Sequence, residues 1–557
     1  MTMRLLSASL AVLALSACAS LPEPAPAPVA VRIIALNDFH GALLPATQET
    51  RFAGQNGPQS ALLGGAARLG ATIARLRAEQ PDSLVVAAGD LIGASPVISQ
   101  QFLDEPAIAA LSLAGLDVAS VGNHEFDRGI AELRRMQDGG CEAYTSRKPC
   151  ALEPFAGASF RYLAGNITDA DGATLFPGTA LREVGGAKIG FIGLTLKDTP
   201  QLVSSSAIAG YSFGDEAEAA NRLAAGLKAE GADAVVLLIH EGAQVDPTLN
   251  VSGCPGLSGA IVPILERLDP AIGLVVSGHT HQAYSCKVGG RTLTSAGRYG
   301  GFVTQIDMAI DPASDTVLSL SAHNVPVTQE AGEDPAIAAL VARYVAASEA
   351  IAERPVGSWQ LVEGGDETCL DSPADRLVAD AQLAATRDLE GGPADIAFLN
   401  SGGVRTDLPP GASGTMTYGD ALAMQPFANS VLVVEMPGSA IKAVLEEQFC
   451  EAADGTVATC HSALLPSQGF AYSFDRSQPA GERIVSVTLN GKPLDPAKTY
   501  RVAINNFLAE GGDGFATFTR FSVIDDAGID VDALETWLAP GASIPPCGRI
   551  RDLSRQP

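Results

Sequence analysis

The chain has 557 residues, too many for one hydrophobic core, and this length points to two large domains. It carries 36 Lys and Arg against 63 Asp and Glu, a net charge of −27. So acidic a surface repels polyphosphate backbones and argues against a nucleic-acid polymer as partner, while small anions remain open to local Arg residues or bound metals.

Arg4 supplies a short basic region and Leu5 to Leu15 an apolar one, too short for a stable membrane span. Leu15-Ser16-Ala17-Cys18 then closes a secretory signal. Small residues ahead of a Cys resemble a bacterial lipoprotein cleavage box, which implies that residues 1–18 end in a lipidated Cys18. An ordinary signal peptide with an incidental Cys is the alternative. A Pro/Ala tether over residues 19–30 is suited to holding a domain off a membrane surface. Without Cys18 the nine Cys become eight, an even number that calls for disulfides in an exported chain. Proximity favours Cys141–Cys150 and Cys450–Cys460, with Cys254–Cys286 and Cys369–Cys547 completing the set. There is no Cys-x-x-Cys, which argues against a thiolate zinc site or a redox motif.

Val31 to Asn37 (VRIIALN) is an apolar strand ending in Asp38-Phe39-His40-Gly41. Apolar residues fall at helical spacing from Ala61 to Glu79, and Ser83 to Ala88 is a second strand ending in Gly89-Asp90. A helix around Pro106 to Ala114 leads to Leu116–Gly129 (LDVASVGNHEFDRG), where an apolar run breaks into Asn123, His124, Glu125 and Asp127. The next strand is Ala187 to Gly193, and a helix lies near Asp215 to Glu230. Ala234 to Ile239 is a strand ending in His240; Ile272 to Val276 ends in Ser277-Gly278-His279-Thr280-His281. Such alternation argues for an α/β domain over residues 31–330, a sheet covered by helices on both faces. After the strand-like Thr316 to Val325, an Ala-rich helix over Asp334 to Glu353 connects two domains within residues 331–355 and is stopped by Pro355. The second domain takes residues 356–557.

Five strands end in ligand-type residues, and five of the seven His lie there. His323 and His461 fall outside and read as surface positions. The strand-end set is Asp38, His40, Asp90, Asn123, His240, His279 and His281. Hard carboxylates beside imidazoles suit Zn²⁺, Mn²⁺ or Fe better than Ca²⁺. Seven ligands are too many for one tetrahedral ion but right for two ions sharing a carboxylate, the recurrent machinery of phosphoester hydrolysis. His124 and Asp127, three apart, share a face if a helical turn begins there.

D-x-H, G-D, G-N-H-E-x-D, a lone strand-end His and G-H-T-H closely resemble the calcineurin-like metallophosphoesterases. The resemblance implies a four-layer αββα domain with two divalent ions, Zn²⁺ or Mn²⁺ by preference. Asp38, His40 and His281 would hold one ion, Asn123, His240 and His279 the other, with Asp90 bridging. His124 would stabilise the transferring phosphoryl group or the leaving oxygen, oriented by Asp127; a third ligand is its alternative role. Exported nucleotidases of this kind often have Gln where His281 stands.

In the second domain, Asn400 to Arg405 reads NSGGVR, where paired Gly admits a ligand close to the backbone and Arg offers a fork for phosphate. Phe427 and Asn429 lie on one loop; Phe507 stands just ahead of Gly511-Gly512-Asp513-Gly514. The two Phe residues either belong to the core or sandwich a flat base. These stretches resemble the C-terminal domain of exported 5′-nucleotidases and UDP-sugar hydrolases, an α+β substrate-binding domain. The resemblance implies that Phe427 and Phe507 clamp the base, Asn429, Gly469 and Asp513 line its pocket, and Arg405 meets phosphate. It also implies a hinge rotation that carries substrate to the metals. One departure is TCLDSPADRLVADA, where the family usually has further Arg or an R-x-x-E-x-x-L-G-N pattern and only Arg376 is nearby.

Together the resemblances imply a two-domain exported enzyme, periplasmic or lipid-anchored to the periplasmic face of a bacterial membrane only through Cys18. It would hydrolyse nucleotide phosphomonoesters to nucleoside and phosphate by in-line attack of metal-bound hydroxide. The alternatives are a 2′,3′-cyclic-nucleotide 2′-phosphodiesterase with 3′-nucleotidase activity, a UDP-sugar hydrolase, or a non-catalytic nucleotide-binding lipoprotein. The last would need a broken metal set, and this one is complete. A thiosulfate-processing relative would lack the paired Phe residues.

Overall fold

Runs of aliphatic and β-branched residues build two six-stranded sheets in the first domain. The computed structural model describes residues 28–555, except 55–56, 146, 247–248, 250–251, 312–313, 315, 364–369, 428, 452–456 and 460–461. The expected signal, Cys18, Cys369, Cys460 and His461 therefore lie outside the described residues. In the first sheet the central strands Val29–Leu36, Ser83–Ala88 and Val118–Ser120 run parallel, side by side. In the second, Ala234–His240 runs parallel to both Ile272–Ser277 and Ala187–Thr195. The five ligand-bearing strands thus end in the same direction within their sheets, as crevice-forming parallel strands do.

The two sheets stack face to face. Ile33, Val86 and Val118 from one meet Phe191, Val236 and Leu274 from the other. The outer face of the first sheet is covered by helices Ala66–Glu79, Glu105–Leu113, Gly129–Asp138 and Pro335–Ala352, through Leu69, Ile108, Leu133 and Leu340. The second is covered by Glu216–Ala229 and Ile261–Arg267. This is the four-layer αββα arrangement. It corrects the single sheet with helices on both faces that alternation alone suggests, since each sheet has helices on one face and its partner sheet on the other. A strand buried on both faces, such as AVVLLIH with every position buried, reads the same whatever covers it.

Two local boundaries also differ from the sequence reading. The first helix starts at Ala66, because Thr50–Gly54 and Gly57–Ala61 pair as antiparallel strands and Gly64 and Gly65 turn the chain at positive φ of 80° and 93°. Pro355 ends nothing by itself; the helix stops at Ala352 and Pro355 opens the strand Pro355–Leu361. That helix begins on Asp334, whose carboxylate accepts from the N–H groups of Ala336 and Ile337 at 2.9 and 3.0 Å. It is long and apolar enough to cross a membrane, yet Ile337, Leu340, Val341 and Tyr344 pack into the first domain's core.

The second domain is α+β. Its main sheet has the spatial order Leu464–Pro466, Ile396–Asn400, Thr499–Asn505, Ser430–Pro437, Val523–Ile529, flanked by a three- and a four-stranded sheet. Helices Pro373–Ala385, Gly438–Glu446 and Asp530–Leu538 share its core through Leu377, Val444 and Leu534. Val97 of the first domain joins that core, and the Gln100 side chain donates to the Pro426 carbonyl, so the two domains touch.

Disulfides join Cys141 to Cys150 and Cys254 to Cys286. Cys450 and Cys547 are also disulfide-bonded; the partners expected for them, Cys460 and Cys369, are outside the described residues. Cys254 and Cys286 are 32 residues apart, so replacing both by Ser should cost about 3–4 kcal/mol through loop-closure entropy of the unfolded chain. A urea titration in oxidising buffer reads this as a lower midpoint for the first domain, and an unmoved midpoint refutes it.

Candidate metal centre and substrate cavity

The strand ends turn sharply. Asp38, His40, Asp90, His279 and His281 have positive φ between 48° and 70°, a conformation that non-glycine residues hold only when their surroundings impose it. Gly278 makes room for this: a Cβ there would lie 2.6 Å from the Ala88 carbonyl and 3.0 Å from Asp38 Oδ2. The result is two groups of ligand-type atoms. Asp38, His40 and His281 form one, with the His40 and His281 Nε2 atoms 3.1 Å apart and Asp38 Oδ1 3.4 Å from His281 Nε2. Asp90, His240 and His279 form the other, with Asp90 Oδ2 2.9 Å from His240 Nε2. Asn123 Oδ1 is 3.1 Å from both His240 Nε2 and His279 Nδ1. Asp90 Oδ2 is also 3.7 Å from His40 Nε2, which puts it between the two groups. All seven expected ligands converge on one place.

Neighbouring groups aim these side chains. His40 Nδ1 is 2.9 Å from the Gly93 carbonyl and His240 Nδ1 2.8 Å from the Ala88 carbonyl. A carbonyl can only accept, so both Nδ1 atoms carry protons and both Nε2 atoms face inward. Asn37 Nδ2 donates to Asp38 Oδ2 at 2.6 Å and to the Gly297 carbonyl at 2.8 Å. Glu125 accepts from three backbone N–H groups, those of Asp90, Leu91 and Gly122, at 2.9, 2.7 and 2.6 Å. The motif reading gave neither Asn37 nor Glu125 a role. Glu125 stands inside the quoted G-N-H-E run, but two of its partners, Asp90 and Leu91, are brought to it only by the pairing of neighbouring strands.

Burial lowers the pKa of His40 and His279 to about 3 and that of His281 further, which keeps all three neutral as ligands must be. Burial also opposes charge on His240, but the Asp90 carboxylate at its Nε2 outweighs this and raises it to about 10, so a cation binding there would have to displace the Nε2 proton. Asp38 is pushed up to about 7 by burial. Two buried carboxylates therefore face four imidazoles, and among the described residues neither forms an ion pair with Lys or Arg. This donor set, hard oxygens with inward imine nitrogens, fits divalent cations.

His124 belongs to neither group. A 3-10 turn over His124–Phe126 brings Asp127 onto its face, and Nδ1 lies 3.1 and 3.0 Å from the two Asp127 oxygens. Burial opposes the imidazolium, but Asp127 and Asp90 outweigh it and raise its pKa. The Phe427 ring from the second domain stacks near His124, with centroids 5.9 Å apart and planes at 12°, and the Arg405 guanidinium lies 5.8 Å from that ring.

Between the domains is a cavity of about 970 Å³. Asn123, His124 and Asp127 line one wall; Arg405, Phe427, Asn429, Phe507 and Asp513 line the other. Gly469 is a correction. It is not among the lining residues; at φ 91° it turns the chain into strand Phe470–Phe474, and its carbonyl accepts from the Asn490 N–H at 2.7 Å. Arg376 does not reach the cavity either, being buried and held by Asp371 and the Pro545 carbonyl. Arg128 and Ser204, which the sequence reading passed over, do line it. His323 is half-buried on strand Thr316–Pro326, paired with Gln305 and away from both ligand groups. Asn429 is anchored by Asp530, whose N–H donates to the Asn429 carbonyl at 2.9 Å while its carboxylate accepts from the Asn429 amide groups.

Stacked sheets with paired carboxylate–imidazole groups beyond their strand ends define a metal-dependent phosphoesterase site. The calcineurin-like phosphoesterase family profile matches residues 31–283, and the 5′-nucleotidase C-terminal domain profile matches residues 355–520. The chain belongs to the 5′-nucleotidase family, in which these two domains are joined. Endonuclease YhcR of Bacillus subtilis is 29% identical over 484 residues, covering 86% of this chain, which spans only 37% of that protein's length. The 5′-nucleotidase of Vibrio vulnificus is 25% identical over 508 residues, with 85% of each chain covered. The crystal structure of a 5′-nucleotidase precursor from Thermus thermophilus superposes with a TM-score of 0.74 at 25% identity, covering 95% of this chain and 100% of the other.

Burial raises the Asp530 carboxyl to about 7, above its ordinary unfolded value, so the folded state holds the proton more tightly. The stability this gives is fully present below the unfolded pKa and is lost as pH rises through about 7. Asp530→Asn keeps an oxygen for Asn429 and removes the charging cost. Relative to wild type, the variant should gain more in urea midpoint at pH 8 than at pH 5; an equal or smaller gain at pH 8 contradicts the assignment.

Proposed function

We propose that the protein hydrolyses nucleotide phosphomonoesters to nucleoside and phosphate in the cavity between its domains. One observation carries this reading: the two ligand groups, His124 and the Phe427–Phe507 pair all belong to one continuous site. Asp38, His40 and His281 would hold one ion, and Asn123, His240 and His279 the other, with Asp90 between them. Two divalent ions, zinc or manganese, would supply Lewis-acid charge against the phosphoryl oxygens and acidify an attacking water. Phe427 and Phe507 would sandwich the base, Asn429 and Asp513 would hydrogen-bond its edge or the ribose, and Arg405 would fork the phosphate. Asp127 holds the Nδ1 proton of His124, which leaves Nε2 to donate to a phosphoryl oxygen or to the leaving 5′ oxygen. The disulfides support an exported protein, held at a membrane only by a lipid on Cys18.

The test is phosphate release from AMP, UMP, cyclic nucleotides and UDP-glucose, before and after chelation and readdition of Mn²⁺ or Zn²⁺. Monophosphates should be turned over, lose activity on chelation and regain it. A folded, ion-loaded protein that releases no phosphate from any monophosphate would overturn the reading. His124→Ala should lower kcat about 10²–10⁴-fold while elemental analysis still finds both ions; loss of ions would make His124 a ligand instead. Phe507→Ala should raise KM about tenfold, with kcat much less affected, because stacking one base on an aromatic ring is worth ~1–3 kcal/mol.

A further inference from the structure

A second cavity, of about 590 Å³, adjoins the first at the ion centre and is lined by Asp90, His279 and His281. It shares His124, Gln244, His279, Thr280 and Arg405 with the larger one but includes neither Phe427 nor Phe507. Its own wall carries Arg298 and Tyr299, beside His281 and Gln282. Neither Arg298 nor Tyr299 has a part in the hydrolysis proposed above.

Tyr299 sits at a left-handed φ of 58°, unusual for an aromatic residue, and is still 37% exposed. Its N–H donates to the Asp38 carbonyl at 2.7 Å, and its ring centre is 5.8 Å from that of His40 and 5.9 Å from that of His281. Gly64 leaves space for this turn, since a Cβ there would lie 2.7 Å from the Tyr299 carbonyl. The turn therefore fixes an exposed ring beside the ion centre. The Arg298 guanidinium lies over that ring at 4.8 Å and approaches His281 Nδ1 at 3.3 Å. In a chain of net charge −27, Arg298 makes no ion pair among the described residues. An aromatic ring beside a guanidinium that no carboxylate neutralises among the described residues is a stacking platform for a ring attached through an anionic linkage.

We propose that Arg298 and Tyr299 form a second substrate subsite, which holds the other substituent of a nucleoside phosphodiester whose first nucleoside lies between Phe427 and Phe507. The proposal rests on the nucleotide-hydrolase reading and extends it from monoesters to small diesters. Water's oxygen bonds to phosphorus and the P–O5′ bond on the Phe427–Phe507 side breaks. The leaving oxygen takes a proton, and the second substituent stays on phosphorus as a monophosphate. With a dinucleoside 5′,5′-monophosphate the products are one nucleoside and one nucleoside 5′-monophosphate, the latter itself a substrate of the first activity.

The test compares kcat/KM for dithymidine 5′,5′-monophosphate and for thymidine 5′-monophosphate on the ion-loaded full chain, by chromatography of the products. Wild type should cleave both. Arg298→Ala and Tyr299→Gly, the latter chosen because glycine accepts the positive φ, should each lower the diester-to-monoester ratio about tenfold. Tyr299→Phe, which keeps the ring, should preserve it. An unchanged ratio in the Ala and Gly variants overturns the subsite. A wild-type protein that cleaves the monoester and leaves the diester intact also overturns it, with the nucleotidase reading intact. Failure on both substrates removes the nucleotidase reading and this one with it.

Discussion

Three backbone N–H groups from two different strand ends converge on one buried carboxylate, Glu125. Each donor belongs to a loop that has left its sheet and has no ladder partner to satisfy it, so an unmade bond there would carry the full desolvation cost. By gathering them, Glu125 fixes the loop of Asp90 against the loop of Asn123 and His124. The carboxylate between the two ligand groups and the His124 imidazole that lines the cavity then share one rigid frame. The other half of the centre is tied in the same manner, with Asn37 and the His279 N–H holding Asp38. The ion centre is thus a consequence of how parallel strand ends satisfy their hydrogen bonds, and the ligands follow the backbone.

Charge is arranged on two scales. Over the whole surface acidic groups dominate, which keeps long polyanions away. Within reach of the ion centre the balance reverses locally, since Arg405 and Arg298 line its cavities and Arg128 lines the larger one. Arg128 is partly neutralised by buried Asp104, which accepts from it at 2.6 Å. Arg405 and Arg298 have no such partner among the described residues, so their charge is directed at whatever enters the cavities. A short anion gains from these cations and from bound metal ions without crossing a large acidic field.

Much of this was legible from residues alone because the chemistry interrupts strong local patterns. An apolar run that breaks into Asp-x-His or Gly-His-Thr-His announces a strand end with a polar task, and five such breaks in one half of a chain have few other uses. What escaped depends on tertiary pairing. Nothing in AVVLLI distinguishes a neighbouring helix from a neighbouring sheet, so the stacking of two sheets could be read only from the family resemblance and not from periodicity. Gly469 resembles a pocket glycine in sequence, yet its loop turns toward Asn490 instead. Arg376 resembles a phosphate ligand until Asp371 is seen beside it. Tyr299 gives no sequence sign of its left-handed backbone, which Gly64 and the Asp38 carbonyl impose from elsewhere in the chain.

The second domain meets the first through buried contacts, at Val97 and between Gln100 and Pro426, and through an exposed polar one. The link on the rim of the large cavity is polar: Glu510 accepts from the Ser204 hydroxyl and the Ser205 N–H, both at 2.6 Å, and all three groups are exposed. Exposed contacts of this kind exchange readily for water and contribute little net stability. Phe427 stacks near His124 only while the domains keep this arrangement, so the two rings are brought together by the same domain contact. The helix Pro335–Ala352 is packed into the first domain, the strand Pro355–Leu361 belongs to the second, and only Glu353 and Arg354 lie between them, Arg354 being paired with Glu535 of the second domain. A weak rim contact beside so short a connection suits the site proposed above, which would assemble around its substrate and release two products.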